Sequence, residues 1–175
     1  MESKITILDG AMGTMLQKAG LKPGEHPEVF GYNNPNIVID IHKKYIEAGS
    51  DIVYTNTFGA NSHKLSGCDL SVDEAVKSAV HCAKEAVKES GVRVALDVGP
   101  IGELLEPLGT LAFEEAYEVY KELMIAGEKY GVDLIVCETF TDLYDVKAAV
   151  LAAKENTKLP IWVTMSYEES GRTFT

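Results

Sequence analysis

The chain has 175 residues, 46% hydrophobic and 25% charged, which fits one soluble globular domain long enough to bury a sizeable core. A formal net charge of −11 disfavours a phosphate backbone or an anionic membrane surface, so no nucleic-acid or membrane partner is expected. No apolar run approaches the roughly 20 residues of a membrane span, and Met1-Glu2-Ser3-Lys4 leads straight into a strand pattern without a signal peptide; a cytoplasmic protein is expected.

The first strand-like run, Ile5–Asp9, ends on a carboxylate. The turn Gly10-Ala11-Met12-Gly13-Thr14 follows, then a short helix over Thr14–Ala19. Glycines there let backbone N–H groups approach a ligand. Residues Leu21–Asn36, with Pro23, Pro27 and Pro35, read as a long loop, and loops of that length usually carry function. Ile37, Ile41, Tyr45 and Ala48 give a helical spacing that stops at Gly49. A strand over Asp51–Asn56 comes next, then a helix over Ser71–Ser90 opened by the capping box Ser71-Val72-Asp73-Glu74. After Gly91 the strand Arg93–Val98 runs into a second long loop, Gly99–Leu111, with Pro100 and Pro107. A helix over Phe113–Tyr130, Gly131, a strand over Asp133–Glu138, a helix over Leu143–Glu155 and a strand over Pro160–Ser166 complete the order. Glycines 49, 91 and 131 each fit the left-handed position that closes a helix.

Regular βα alternation implies a parallel sheet with right-handed crossovers, either doubly wound or a (β/α)₈ barrel. The first turn lacks the G-x-G-x-x-G spacing of a dinucleotide fold, and polar residues stand at the tips of successive strands; both points favour the barrel. Only five of eight strands are visible. The chain is therefore expected to be about the first five βα units of a truncated barrel, a single domain over residues 1–175.

Side chains alternate along a strand, so Glu138 in the barrel mouth places Leu134 and Val136 in the interior below it and turns Cys137 to the helices. Asp9 pointing inward takes Ile5 and Ile7 with it. Two carboxylates in one mouth suit acid–base chemistry, metal binding or an ammonium; Asp9 has a helix-capping contact as its plainer role. Asn56, in Thr55-Asn56-Thr57-Phe58, can donate to a carboxylate and accept from an ammonium, or form an Asx turn. Asp97 is a weaker candidate because its parity is open. His26 and His63 sit near strand exits, whereas His42 and His81 fall on outer helices. Trp162 reads as packing. Cys68, Cys82 and Cys137 include no C-x-x-C pair, so neither a disulfide framework nor a zinc ribbon is expected, and Cys82 and Cys137 read as buried hydrophobes.

Several motifs in order resemble the homocysteine S-methyltransferase family, in particular the homocysteine-binding domain of cobalamin-dependent methionine synthases. They are Ile7-Leu8-Asp9-Gly10-Ala11-Met12-Gly13-Thr14-Met15-Leu16-Gln17, Glu47-Ala48-Gly49-Ser50-Asp51-Ile52-Val53 with Thr55-Asn56-Thr57-Phe58, Gly99-Pro100-Ile101-Gly102-Glu103, Asp133-Leu134-Ile135 with Glu138-Thr139, and Ser170-Gly171-Arg172-Thr173. The resemblance implies a (β/α)₈ barrel that transfers a methyl group to the homocysteine thiolate to form methionine. It implies Asp9 and Glu138 as ammonium ligands and Gly10, Ala11, Gly13 and Thr14 as pocket wall. Asn56, and with less weight Thr57, Asp97, Gly99 and Pro100, would line the same mouth.

In that family zinc activates the thiol and is held by three cysteines, one after the sixth strand and an adjacent pair near the end of the barrel. Cys68, Cys82 and Cys137 match none of them, so the ligands are expected beyond Thr175 and this stretch alone is expected to be inactive. Homocysteine, the rest of the barrel, and downstream domains carrying methyltetrahydrofolate and cobalamin are the implied partners. Betaine- and S-methylmethionine-dependent homocysteine methyltransferases share the barrel and are the alternative, as is a non-catalytic amino-acid-binding half-barrel. An open sheet is expected to expose Ile5, Ile7 and Val136.

Overall fold

The computed structural model describes residues 5–173 and folds as part of a (β/α)₈ barrel. Its elements are α1 (Met12–Lys18), α2 (Pro27–Asn33), α3 (Pro35–Glu47), β1 (Ile52–Tyr54), α4 (Val72–Val87), β2 (Arg93–Val98), α5 (Phe113–Tyr130), β3 (Leu134–Phe140), α6 (Leu143–Asn156) and β4 (Ile161–Met165). The four strands are parallel and lie in chain order, as right-handed crossovers require. Local chemistry sets the helix ends. The Ser71–Glu74 capping box is present on α4, and the Asp142 carboxylate accepts from the Tyr144 N–H at 2.7 Å on α6. Gly131 closes α5 at φ 84°.

Period-two alternation divides the sheet into two faces. Val53, Val94, Leu96, Val98, Ile135 and Cys137 pack outward against α4, α5 and α6 in the main core. Ile52, Ala95, Leu134 and Val136 face inward and form a small interior cluster capped by Tyr54. Each large aliphatic group so buried contributes about 1.5–3 kcal/mol. A third cluster, Leu16, Leu21, Val38, Ile41 and Cys82, fastens α1 and α3 to α4. Aspartates stitch the strand starts together: Asp51 accepts from the Ile7 N–H at 2.9 Å and Asp133 from the Val94 N–H at 2.7 Å.

Several expectations change. The first strand reduces to one bridge, Leu8 with Ile52. The Asp9 N–H still donates to the Ile52 carbonyl at 3.1 Å. The next rung is taken by the Asp9 side chain, whose Oδ2 receives the Tyr54 N–H at 2.9 Å, so the ladder stops there. Ile5 and Ile7 are exposed as expected, but Val136 is buried, because the curved sheet closes Ile52, Ala95 and Leu134 over it. Trp162 is partly exposed on the edge strand β4, with the Arg93 guanidinium 5.9 Å from its ring centre. The expected loop Leu21–Asn36 contains α2 and the start of α3, since Pro27 and Pro35 each occupy a first helical position. His42 is fully buried in α3 and neither ring nitrogen has a partner; burial holds its pKa down near 4.

Candidate functional site

At the C-terminal ends of the strands lies a two-lobed cavity, of about 460 and 310 Å³, whose lobes share Ala11, Met12, Asp97 and Glu138. Asp9, Gly10 and Tyr54 complete the smaller lobe. Gly13, Thr14, Glu28, Asn56, Phe58 and Lys64 contribute to the larger one. The barrel mouth is where this fold places ligands.

Glu138 is aimed by a break in the β3–β4 register between Cys137 and Phe140. There Thr139 adopts φ 63°, a conformation that costs a non-glycine residue energy, and its N–H reaches the Thr164 hydroxyl at 3.3 Å. Leu134 and Val136 lie inward below Glu138 and Cys137 turns outward, in keeping with the alternation. Asp9 stands across the mouth. Burial and the charge of Glu138 push its pKa up to about 7, against the Tyr54 N–H that favours the carboxylate. Burial raises Glu138 as well.

Asp97 also enters the mouth, on the inward face between Asp9 and Glu138 in sheet order. Its backbone is clamped: the Asp97 N–H donates to the Thr55 hydroxyl at 3.1 Å, and the Thr57 hydroxyl donates to the Asp97 carbonyl at 2.7 Å. Its Oδ1 is buried with no hydrogen-bond partner. Thr57 is thus fully buried beneath the cavity and does not line it.

The other predicted residues divide between wall and support. Gly10 lies against Tyr45, where a Cβ would come within 2.8 Å of the ring, and the Tyr45 hydroxyl donates to the Ala11 carbonyl at 3.1 Å. A Cβ at Gly13 would meet nothing within 4 Å. Asn56 lines the cavity but spends one N–H on the Pro27 carbonyl at 2.8 Å, so it braces α2. Gly31 permits that approach, since a Cβ there would sit 2.5 Å from the Asn56 amide. Gly99 and Pro100 lie behind the wall: Gly99 packs under Phe58, and the Pro100 carbonyl accepts from Lys64 Nζ at 2.7 Å. His26 lines the cavity, whereas His63 pairs with Glu103 at 2.6 Å on the rim.

Glu28 and Lys64 were not anticipated. Glu28, in the first turn of α2, is buried and accepts the Gly59 N–H at 2.7 Å. The Pro27-Glu28 step following His26 is a helix-start signal that could have revealed α2. Lys64 lies 5.2 Å from the centre of the Phe58 ring, and burial lowers its pKa. No local pattern marks it. Four carboxyl groups and one ammonium line the two lobes, a balance that favours a cationic guest group.

The described residues do not suit a zinc ion. Cys137 packs outward with its thiol pushed up to about 12 by burial, and Cys82 is buried among helices with its thiol at about 11. Cys68 lines a separate cavity beside α2. Among the described residues no three His, Cys, Asp or Glu side chains are grouped to hold a metal. No helix among them is long and apolar enough to cross a membrane.

Comparison with known proteins places this geometry in context. The family described as homocysteine S-methyltransferase matches residues 6–175. The methionine synthases of Mycobacterium leprae (strain TN) and Mycobacterium tuberculosis (strain ATCC 25618 / H37Rv) are each 30% identical over 189 residues, covering 98% of this chain. The chain spans 16% of the length of each. Among solved structures, the oxidized form of the homocysteine methyltransferase MmuM from Escherichia coli superposes with a TM-score of 0.86 at 21% identity, covering 98% of this chain and 65% of MmuM. Its metallated form gives 0.84 at 20% identity, covering 98% and 66%.

Proposed function

The chain belongs to the homocysteine S-methyltransferase family, and we propose that its cavity binds homocysteine, with Asp9 and Glu138 clamping the ammonium. The observation that carries this reading is the pair of partly buried carboxyl groups facing each other across the barrel mouth, each raised in pKa and so poised to gain from a cation. Gly10, Ala11, Gly13 and Thr14 form the wall beside the amino-acid head, and Asn56 fixes that wall by bracing α2.

On this reading the protein transfers a methyl group to the homocysteine sulfur. The thiolate attacks the methyl carbon, the carbon–carrier bond breaks, and methionine forms. The residues of this chain orient the amino acid so that its sulfur meets the donor in line, a positional contribution. The described residues do not fit zinc, so no step is assigned to a metal here. The likeness to methionine synthases favours methylcobalamin, recharged by methyltetrahydrofolate on further domains, as donor. A metal such as the one in metallated MmuM would supply thiolate activation, but the described residues offer it no ligand set. Betaine- or S-methylmethionine-dependent transfer, which the family resemblance also allows on the same barrel, is the second donor reading.

Calorimetric titration with homocysteine tests the clamp. Glu138→Gln is expected to weaken binding by about 2–5 kcal/mol, the cost of removing one partner of a desolvated charge pair. An unchanged dissociation constant would refute the assignment.

A further inference from the structure

The amino-acid head group is a zwitterion, and its two charges sit on one carbon. A mouth that clamps the ammonium between Asp9 and Glu138 therefore brings a carboxylate close to the same wall. Apart from Lys64, already bonded to the Pro100 carbonyl, the ionisable groups of that wall facing the ligand are acidic or phenolic: Asp9 ahead of α1, Glu28 on α2, Tyr54 on β1, Asp97 on β2 and Glu138 on β3. His26, at the cap of α2, lines only the larger lobe. An ionised carboxylate beside the substrate carboxylate would repel it; a protonated one would bind it.

Asp97 is the group built for the second role. The Thr55 and Thr57 hydroxyls hold its backbone N–H and carbonyl, which fixes the point from which the side chain enters the mouth. Each neighbouring acid has a route to stabilise its charge. Asp9 has the Tyr54 N–H, Glu28 has the Gly59 N–H, and Glu138 is partly open to solvent. Asp97 differs in that its Oδ1 is buried without a donor. A carboxyl group so placed keeps its proton, which leaves an O–H to donate.

We propose that Asp97 remains a neutral carboxylic acid at neutral pH and donates its O–H to the carboxylate of the bound amino acid. The proposal rests on the reading of the mouth as an amino-acid site. In support, burial and the charges of Glu138, Asp9 and Glu28 hold the Asp97 pKa well above the usual carboxylate range, with Lys64 pulling the other way. Asp97 is then a positioning residue that reads the acid end of the substrate, complementing the pair that reads the amine.

The test combines a spectroscopic signature with two variants and two ligands, using the longest form of the protein that contains this chain. At pH 7, the infrared difference between the unsubstituted protein and Asp97→Asn should show the carbonyl stretch of a protonated carboxyl, lost in the variant. Asp97→Asn, which retains a donor, should bind homocysteine within about 3-fold of the unsubstituted protein. Asp97→Leu, which removes the donor, should bind it about 10-fold or more weakly. The same variant should bind 3-aminopropane-1-thiol, which lacks the carboxylate, as well as the unsubstituted protein does. An infrared carboxylate band at Asp97, or an Asp97→Asn loss as large as that of Glu138→Gln, would show an ionised third ammonium ligand and overturn the proposal. Equal binding of homocysteine by Asp97→Leu would overturn it as well. The infrared band is read without ligand, so it decides the protonation state on its own. Failure of the unsubstituted protein to bind homocysteine would instead overturn the underlying reading of the mouth.

Discussion

Two buried aspartates, Asp145 under α5 and Asp97 in the mouth, show how differently this fold treats the same side chain. Asp145 accepts the Tyr120 hydroxyl at 2.7 Å and the Ile101 N–H at 3.2 Å, and those donors limit its pKa to about 6. Asp97 is comparably buried, but its Oδ1 has no donor and its pKa lies well above the carboxylate range. The first is a structural group, pinning the Gly99–Leu111 loop to α5 and α6. The second is mounted rigidly and left unsatisfied, a cost that a fold carries where a ligand is to be met. Asp9 lies between these cases, with a single N–H partner and a pKa near 7.

The largest effect that would sharpen this contrast is Asp145→Ala. It strands the Ile101 N–H in the core and leaves the Tyr120 hydroxyl only its long contact of 3.4 Å to the Gly99 carbonyl, and should cost about 3–4 kcal/mol in urea unfolding while leaving the mouth acids intact. A loss below about 1 kcal/mol would break the comparison. Next comes Asp9→Asn, which should stabilise the protein at pH 8 while weakening homocysteine binding. The folded Asp9 keeps its proton up to about pH 7, whereas the unfolded residue loses it near 3.8, so the native state loses stability as pH rises through that window. The asparagine variant escapes this loss, a gain of at most about 4 kcal/mol, with the Tyr54 N–H still able to meet the amide oxygen. Parallel unfolding curves for both proteins from pH 4 to 8 would contradict it.

The smallest effect is on affinity. An ammonium prefers ionised Asp9, so homocysteine binding should tighten by up to about tenfold from pH 6 to pH 8, with that dependence reduced in Asp9→Asn.

Sequence patterning exposed the outer layer of the fold well. The boundaries of α4, α5 and α6 follow mostly from apolar spacing, the Ser71 capping box and Gly131, all local signals; Gly91 does not close α4, which ends earlier, at Val87, with Glu89 at φ 66° just beyond it. The first strand is shorter than its apolar run suggests, because this segment takes its ladder from a single neighbour and Asp9 diverts the next rung to its side chain. In the site, Asp9 and Glu138 were legible from strand-end position and family resemblance. Glu28 and Lys64 were not, because each reaches the mouth through contacts 31 and 36 residues away in sequence. Thr57 shares its motif with the lining residues Asn56 and Phe58, yet it acts from behind on Asp97, as Gly99 and Pro100 do on Phe58 and Lys64.

The central claim is that the paired carboxyls of the mouth recognise an amino-acid ammonium. Its most direct test changes the ligand and leaves the protein alone: calorimetric titration at pH 7.5 of homocysteine and of 4-mercaptobutanoate, which differs only in lacking the amino group. The clamp predicts that homocysteine binds at least about 30-fold more tightly, the equivalent of roughly 2 kcal/mol. Equal dissociation constants for the two ligands would contradict it.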